Sequence, residues 1–193
     1  MKKAEKEIPS VEVFKIEQWR NWLKKNHLKE NKVYVIRYKN HTSSPSPPTQ
    51  DLMHEAISWG WIDTTAHGID KNKYMIKYSK RNEKTSKWSK NTLRYAKLLI
   101  KRGRMSEHGL KMYKIGLKKK PHDYGIPDNP KMPPELKKAL KNNKKARVNF
   151  NLFPPSSKKM FYRLILKAKT QETKAKRIKN LVRNAINNDK TLR

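Results

Sequence analysis

The sequence predicts an α+β protein: a small, largely antiparallel sheet with flanking helices, followed by an all-helical C-terminal part. Three observations carry this prediction. Strand-like runs of β-branched and aromatic residues occur only before residue 81, at Val33–Tyr38, Trp61–Ala66 and Tyr74–Tyr78. From Ser89 onward the apolar residues recur at helical spacing instead. Strands gathered in one part of a chain and helices in another are the pattern of α+β architecture, and 193 residues suffice for one medium domain with a helical extension.

The elements follow in order. Residues 1–13 read as a polar leader. Ile16, Trp19 and Leu23 then fall on one face of a helix that ends near His27. Val33–Tyr38 is a strand continuous enough in apolar character for burial on both faces, with Tyr34, Ile36 and Tyr38 on one side. The Ser- and Pro-rich segment Thr42–Pro48 is a surface loop leading into a helix with Thr49 as N-cap, Asp51 in its first turn and an apolar stripe of Leu52, Met53, Ala56 and Ile57. Gly60 is placed to stop that helix. Trp61–Ala66 and Tyr74–Tyr78 form a hairpin turning at Gly68–Asn72, with Tyr74, Ile76 and Tyr78 on one face.

Ser89 or Asn91 opens a helix through Leu93, Ala96, Leu99 and Ile100 that stops at Gly103, and Ser106 caps another. These complete an α+β part at residues 14–117. Lys, Pro and Gly crowd into 118–134, the best candidate for an internal linker or long loop. Residues 135–193 hold three helices: Glu135 to about Ala146, packing through Leu136 and Leu140; one capped by Ser156 or Ser157 with Met160, Phe161, Leu164, Ile165 and Ala168; and one striped by Ile178, Leu181, Val182, Ala185 and Ile186. The last stripe is expected to cover the core.

Charge is the outlying property, with 48 Lys and Arg against 16 Asp and Glu for a net +32. Heat-adapted ion-pair networks need acids in numbers comparable to bases, so this surplus points to a polyanionic partner. No cysteine is present, which excludes disulfides, thiolate zinc sites and cysteine nucleophiles. The start of the chain lacks a signal-peptide core and no run approaches membrane-spanning length, so a cytoplasmic protein without a transmembrane segment is expected.

Gly60-Trp61-Ile62-Asp63, Tyr74–Arg81, Trp88-Ser89-Lys90-Asn91 and Gly103-Arg104-Met105 together resemble the YdeI/OmpD-associated (bacteriocin-protection, OmdA-type) family. In the tail, Phe153, Ser156, Phe161, Ala168-Lys169, Glu172-Thr173 and Arg177-Ile178 resemble its helical segment in order and spacing, so the likeness runs from about Phe14 to Asn188. Departures are Ser58-Trp59 before the Gly, Thr64 for a common Gly, and Ser79-Lys80-Arg81 without a Pro. The resemblance implies an α+β part followed by a helical part, and the family's name links it to bacteriocin protection and an outer-membrane porin. Charge alone would repel cationic bacteriocins from this chain.

Trp59, Trp61, Asp63, Tyr78, Arg81, Trp88, Lys90 and Arg104 form the densest constellation. They read either as an aromatic floor with cationic walls for an anionic ligand, or as core tryptophans with Asp63 paired to Arg81 or capping a turn. His54-Glu55 begins like a zinc-protease helix, but Ser58 stands where the second His must sit. His54, Asp63 and His67 have no metal-ligand spacing, and no phosphate-cradling Gly motif or nucleophile elbow is present. No metal, cofactor or catalytic residue is expected.

Basic runs at Lys118–Lys120, Lys137–Arg147 and Lys174–Arg183 supply candidate polyanion contacts: Lys137, Lys138, Lys144, Lys145, Arg147, Lys174, Lys176, Arg177, Lys179 and Arg183. The expected function is binding of nucleic acid, DNA or RNA, or of another polyanion. The alternatives are an interaction protein docking an acidic protein or an anionic membrane surface, and an enzyme using the tryptophan cleft.

Overall fold

A computed structural model of the chain describes residues 7–43 and 46–191, which divide into two compact units, one through His122 and one from Asp123. The first six residues of the expected leader and Ser44 and Pro45 of the Ser/Pro loop lie outside the described residues.

In the first unit, β1 (Ser10–Glu12), β2 (Lys32–Tyr38), β3 (Trp61–Gly68) and β4 (Lys73–Lys80) form one sheet in the order β1-β2-β4-β3. The antiparallel β3–β4 pairing is the expected hairpin, and the antiparallel pairing of β2 with β4 fits the expected largely antiparallel sheet. β1 was not expected: it lies in the segment read as leader and pairs in parallel with β2, Val11 opposite Val35. β3 and β4 extend the expected hairpin to residues 61–80, and a bulge between Asp63 and Thr65 shifts their register. Thr64, at the bulge, donates its hydroxyl to the carbonyl of Lys77 at 3.0 Å.

One sheet face is dry and the other is not, so β2 is not buried on both sides as expected. Val33, Val35 and Arg37 are buried, while Tyr34, Ile36 and Tyr38 are half-buried. Helices α1 (Ile16–Asn26) and α2 (Thr49–Ser58) bring Trp19, Leu23, Leu52 and Ala56 into one core with Val33, Val35, Trp61, Ile76 and Tyr78. Buried indoles need acceptors for their N–H groups. Trp19 Nε1 donates to the Leu52 carbonyl at 3.1 Å and Trp61 Nε1 to the His27 carbonyl at 3.2 Å.

Thr49 is the first residue of α2 rather than its cap, which is Pro48. The reason lies in Arg37, a buried guanidinium that donates to Tyr74 Oη at 2.6 Å, to Thr49 Oγ1 and to the Pro47 carbonyl. With its hydroxyl taken by Arg37, Thr49 is not available to cap. The other side of α2 meets α3 (Lys90–Lys101) and α4 (Glu107–Leu117) in a second core of Ile57, Trp88, Ala96, Leu99 and Met112. Ser89 and Ser106 cap these helices, accepting from Thr92 N and Gly109 N, each at 3.0 Å.

The second unit holds α5 (Pro134–Lys141), α6 (Lys144–Asn151), α7 (Pro155–Leu166) and α8 (Gln171–Ile186), four helices where three were expected. The single helix expected from Glu135 to Ala146 breaks because Asn143 adopts an extended backbone and its side chain accepts from Ala146 N at 2.9 Å, capping α6. This is how Asn competes with the helical ladder. α7 starts at Pro155, capped by Pro154 rather than by Ser156 or Ser157, since proline at the first position surrenders an N–H that the helix does not use. α8 buries Ile178, Leu181 and Ala185 against Leu136, Leu140, Ala146, Phe150, Phe153, Phe161 and Ile165. Its apolar stripe covers the core.

Candidate functional site

The eight residues of the expected tryptophan cleft do not line one cavity. Trp61 and Tyr78 are fully buried in the sheet core, and Trp88 is buried in the second core against Gly116, where an added Cβ would stand 3.4 Å from its ring. Burial pushes the Tyr78 phenol well above its ordinary range. Asp63 is exposed on β3, Lys90 is exposed at the start of α3, and Arg81 is half-buried, donating to the Lys87 carbonyl at 3.2 Å with its pKa lowered by burial. No ion pair joins Asp63 to Arg81 among the described residues. The ligand-stacking reading of Trp61, Tyr78 and Trp88 is therefore corrected: they are core.

Trp59 and Arg104 do come together, around Glu55, which the sequence singles out only as part of an incomplete zinc-protease motif. Glu55 lies on the apolar stripe of α2 and is 4% exposed. Its Oε1 accepts from Arg20 Nε at 3.1 Å and Trp59 Nε1 at 3.2 Å, and its Oε2 from Arg20 Nη2 at 3.0 Å and Arg104 Nη2 at 2.9 Å. Such a bidentate carboxylate site satisfies a buried charge. The hydrogen bond with Glu55 raises the pKa of Arg20. The available signal was an acid among Leu52, Met53, Ala56 and Ile57 with an indole four residues on, which places both on one helix face.

Beside this network a cleft of about 740 Å³ is lined by His27, Leu28, Trp59, Ser106, Glu107, His108, Leu110, Lys111 and Lys114. One wall is the end of α1, where His27 Nδ1 donates to the Leu23 carbonyl at 2.9 Å, leaving Nε2 as the ring's other polar edge. The Trp59 ring packs on His27 with centroids 4.7 Å apart, and the His27 and His108 rings are 5.7 Å apart. The other wall is the N-terminal half of α4. That helix is set by contact: Ser106 N and Oγ both donate to the Ser58 carbonyl, at 2.9 and 2.8 Å, and a Cβ on Gly109 would lie 2.1 Å from that same oxygen. Gly60, at φ +74°, leaves room for His108, whose Cδ2 would be 3.1 Å from an added Cβ. Burial, then the neighbouring His27, Lys80 and Lys111, lower the pKa of His108, and its buried Nε2 has no hydrogen-bond partner among the described residues.

In the second unit the ten expected contact residues fall into two groups. Lys174 pairs with Glu135, and Arg177, half-buried, donates to the Leu164 carbonyl; both serve the fold. Lys137, Lys138, Lys144, Lys145, Arg147, Lys176, Lys179 and Arg183 are exposed and have no ion-pair partner among the described residues. Residues 123–193 contain 19 Lys and Arg against five Asp and Glu, and Asp123 is buried on Arg163 at 2.8 Å.

Residues 11–112 match a family described as a domain of unknown function (DUF8412), and residues 129–188 match the family described as Bacteriocin-protection, YdeI or OmpD-Associated. The first match spans more than half of the chain, and the chain belongs to that family; the second match, to the family its sequence resembles, covers its C-terminal residues 129–188. The tail motifs that carried the resemblance are largely structural: Phe153, Phe161 and Ile178 are core residues of the second unit. The motifs around Gly60, Trp88 and Gly103 fall within residues 11–112, the span of the first family. No curated protein and no solved structure matches the chain significantly. Among the described residues no helix is long and apolar enough to cross a membrane, and no group of three His, Cys, Asp or Glu could hold a metal ion.

Proposed function

We propose that the second unit binds nucleic acid through its phosphates, using the exposed cations of α5, α6 and α8. The carrying observation is the separation of roles on these helices. Their apolar residues are spent on the core, Leu136 and Leu140 on α5, Ala146 and Phe150 on α6, and Ile178, Leu181 and Ala185 on α8, while Lys137, Lys138, Lys144, Lys145, Arg147, Lys176, Lys179 and Arg183 face solvent. An array of unpaired cations gains by displacing counterions from a polyphosphate. Phe150 is the one aromatic residue of the three helices and it is buried, so they offer no platform on which unstacked bases could lie. Backbone contact without base reading suits duplex at least as well as single strands.

Fluorescence anisotropy of labelled duplex and single-stranded oligonucleotides of several sequences, titrated against the full chain, tests this. If about six phosphates are neutralised, log K falls with log salt at a slope near −5, and affinity drops about a thousandfold between about 50 and 200 mM salt. Lys144→Glu with Lys145→Glu should flatten that slope by about two, equally for all sequences. A salt-insensitive affinity, a requirement for one sequence, or binding to anionic vesicles with none to nucleic acid would overturn the reading.

A further inference from the structure

We propose that the cleft between the end of α1 and the N-terminal half of α4 is a binding site for a small planar anion, an aromatic carboxylate or its equivalent. Its volume of about 740 Å³ lies in the range of small-ligand sites, and its lining combines flat apolar surface with a few fixed polar groups. Leu28, 60% exposed, the half-buried Leu110 and the indole of Trp59 supply the apolar surface. Isolated exposed leucines need no explanation, but this one borders a cavity whose other wall is cationic.

The anionic preference follows from the polar groups. Lys111 and Lys114 stand on the α4 wall with His108 at successive three-residue steps, which puts them along one side of the helix. The first-turn N–H groups of α4 add the positive end of its dipole. Two acids oppose this charge: Glu107 in the lining, and Glu83, which Lys111 holds at 2.7 Å. Both partners of that pair are exposed, so it is worth little and can open for a competing anion. Lys80, held by the Leu28 carbonyl at 2.8 Å, is a further cation near His108.

The site is also built rather than incidental. Trp59 is locked by its bond to Glu55, and Glu55 by Arg20 and Arg104, so the indole is held against His27 before any ligand arrives. Gly109 seats α4 directly on the last carbonyl of α2, which fixes the distance between the two walls. Preorganisation of this kind reduces the ordering cost of binding. Burial and neighbouring cations oppose charge on His108, and an anion bound beside it would offset part of that opposition.

Heteronuclear NMR titration of the full chain with 2-naphthoate, with the neutral isostere 2-naphthylmethanol and with inorganic phosphate tests the proposal. Naphthoate should give saturable shifts at the Trp59 indole N–H and the amides of residues 106–111, with an affinity at least about tenfold above that of either comparison compound. Lys111→Glu with Lys114→Glu, both on the exposed side of α4, should weaken naphthoate about tenfold or more while signals of the sheet stay in place. Absence of saturation at about 5 mM, equal binding of the neutral isostere, equal binding of phosphate, or shifts confined to α5, α6 and α8 would each overturn it.

Discussion

Replacing Glu55 by Gln isolates the charge of the buried carboxylate while keeping its size. Removing one member of a buried ion pair costs about 3–5 kcal/mol when the partner stays buried. Here the asymmetry matters: the Glu55 side chain is 5% exposed, but Arg20 and Arg104 are 43% and 39% exposed. The guanidiniums left behind can rehydrate, so Glu55→Gln should cost only about 2–3 kcal/mol. Removing both arginines is worse. Arg20→Ala and Arg104→Ala should each cost about 1 kcal/mol, because one guanidinium still pairs with the acid, whereas the two together strand a carboxylate with only the Trp59 N–H and should cost about 4 kcal/mol. Urea denaturation followed by tryptophan fluorescence measures all four variants, with an unchanged slope confirming that stability alone has moved. Additive arginine effects, or a Glu55→Gln cost below about 0.5 kcal/mol, would show that Glu55 is hydrated and does not organise the site.

Two further outcomes follow from contacts in the same unit. Gly109→Ala would force a Cβ to within 2.1 Å of the Ser58 carbonyl, which is backbone and cannot rotate away, so α4 must lift from α2 at a cost of about 3 kcal/mol or more. Gly68→Ala, with nothing within 4 Å, should stay within about 0.5 kcal/mol, and equal effects in the same urea assay would sink the argument. The pH dependence of stability should carry the signature of His54 and His108, whose pKa values are lowered from 6.5, chiefly by burial. Below 6.5 the unfolded chain takes up protons that the native chain resists, so the stability present above that pH is lost as pH falls. The urea midpoint should drop between pH 7.5 and 5.5, above the range in which ordinary carboxylates titrate, and His54→Gln with His108→Gln should flatten the drop; a midpoint that does not move with pH contradicts it.

The strands and helices with long periodic signals were readable from residue order; what was missed depended on partners distant in sequence. Residues 10–12 are too few to show a period, and only their pairing with β2 makes them a strand. Asn143 could have served as one more exposed residue of a basic helix, until its side chain took the Ala146 N–H. The tryptophan cleft was drawn from neighbours in sequence, yet Gly60 turns the chain between Trp59 and Trp61 at φ +74°, sending the two indoles to different places. Trp61 can then be fully buried because His27 offers it a carbonyl 34 residues away, while Trp59 stays at the edge of the cleft. Trp59 lies one helical turn from Glu55, but the two arginine partners of that acid are 35 and 49 residues away, beyond the reach of any spacing rule.

The two proposed sites rest on different physics. On α8 the apolar stripe is already used by the core, so whatever binds that unit meets exposed Lys and Arg side chains in water, where attraction is long-ranged, tolerant of sequence and screened within about 8 Å at physiological salt. In the cleft of the first unit the cations stand beside Leu28, Leu110 and an immobilised indole, and His108 is partly desolvated. An anion entering there gains apolar contact that salt does not screen, so its affinity should fall far less than that of a polyphosphate over the same range of salt. A ligand displaced from the whole chain by salt belongs to the basic helices; one that remains belongs to the cleft. A single ligand showing both behaviours, with its salt-resistant part abolished by Lys111→Glu and Lys114→Glu, would mean that one anionic partner engages both units.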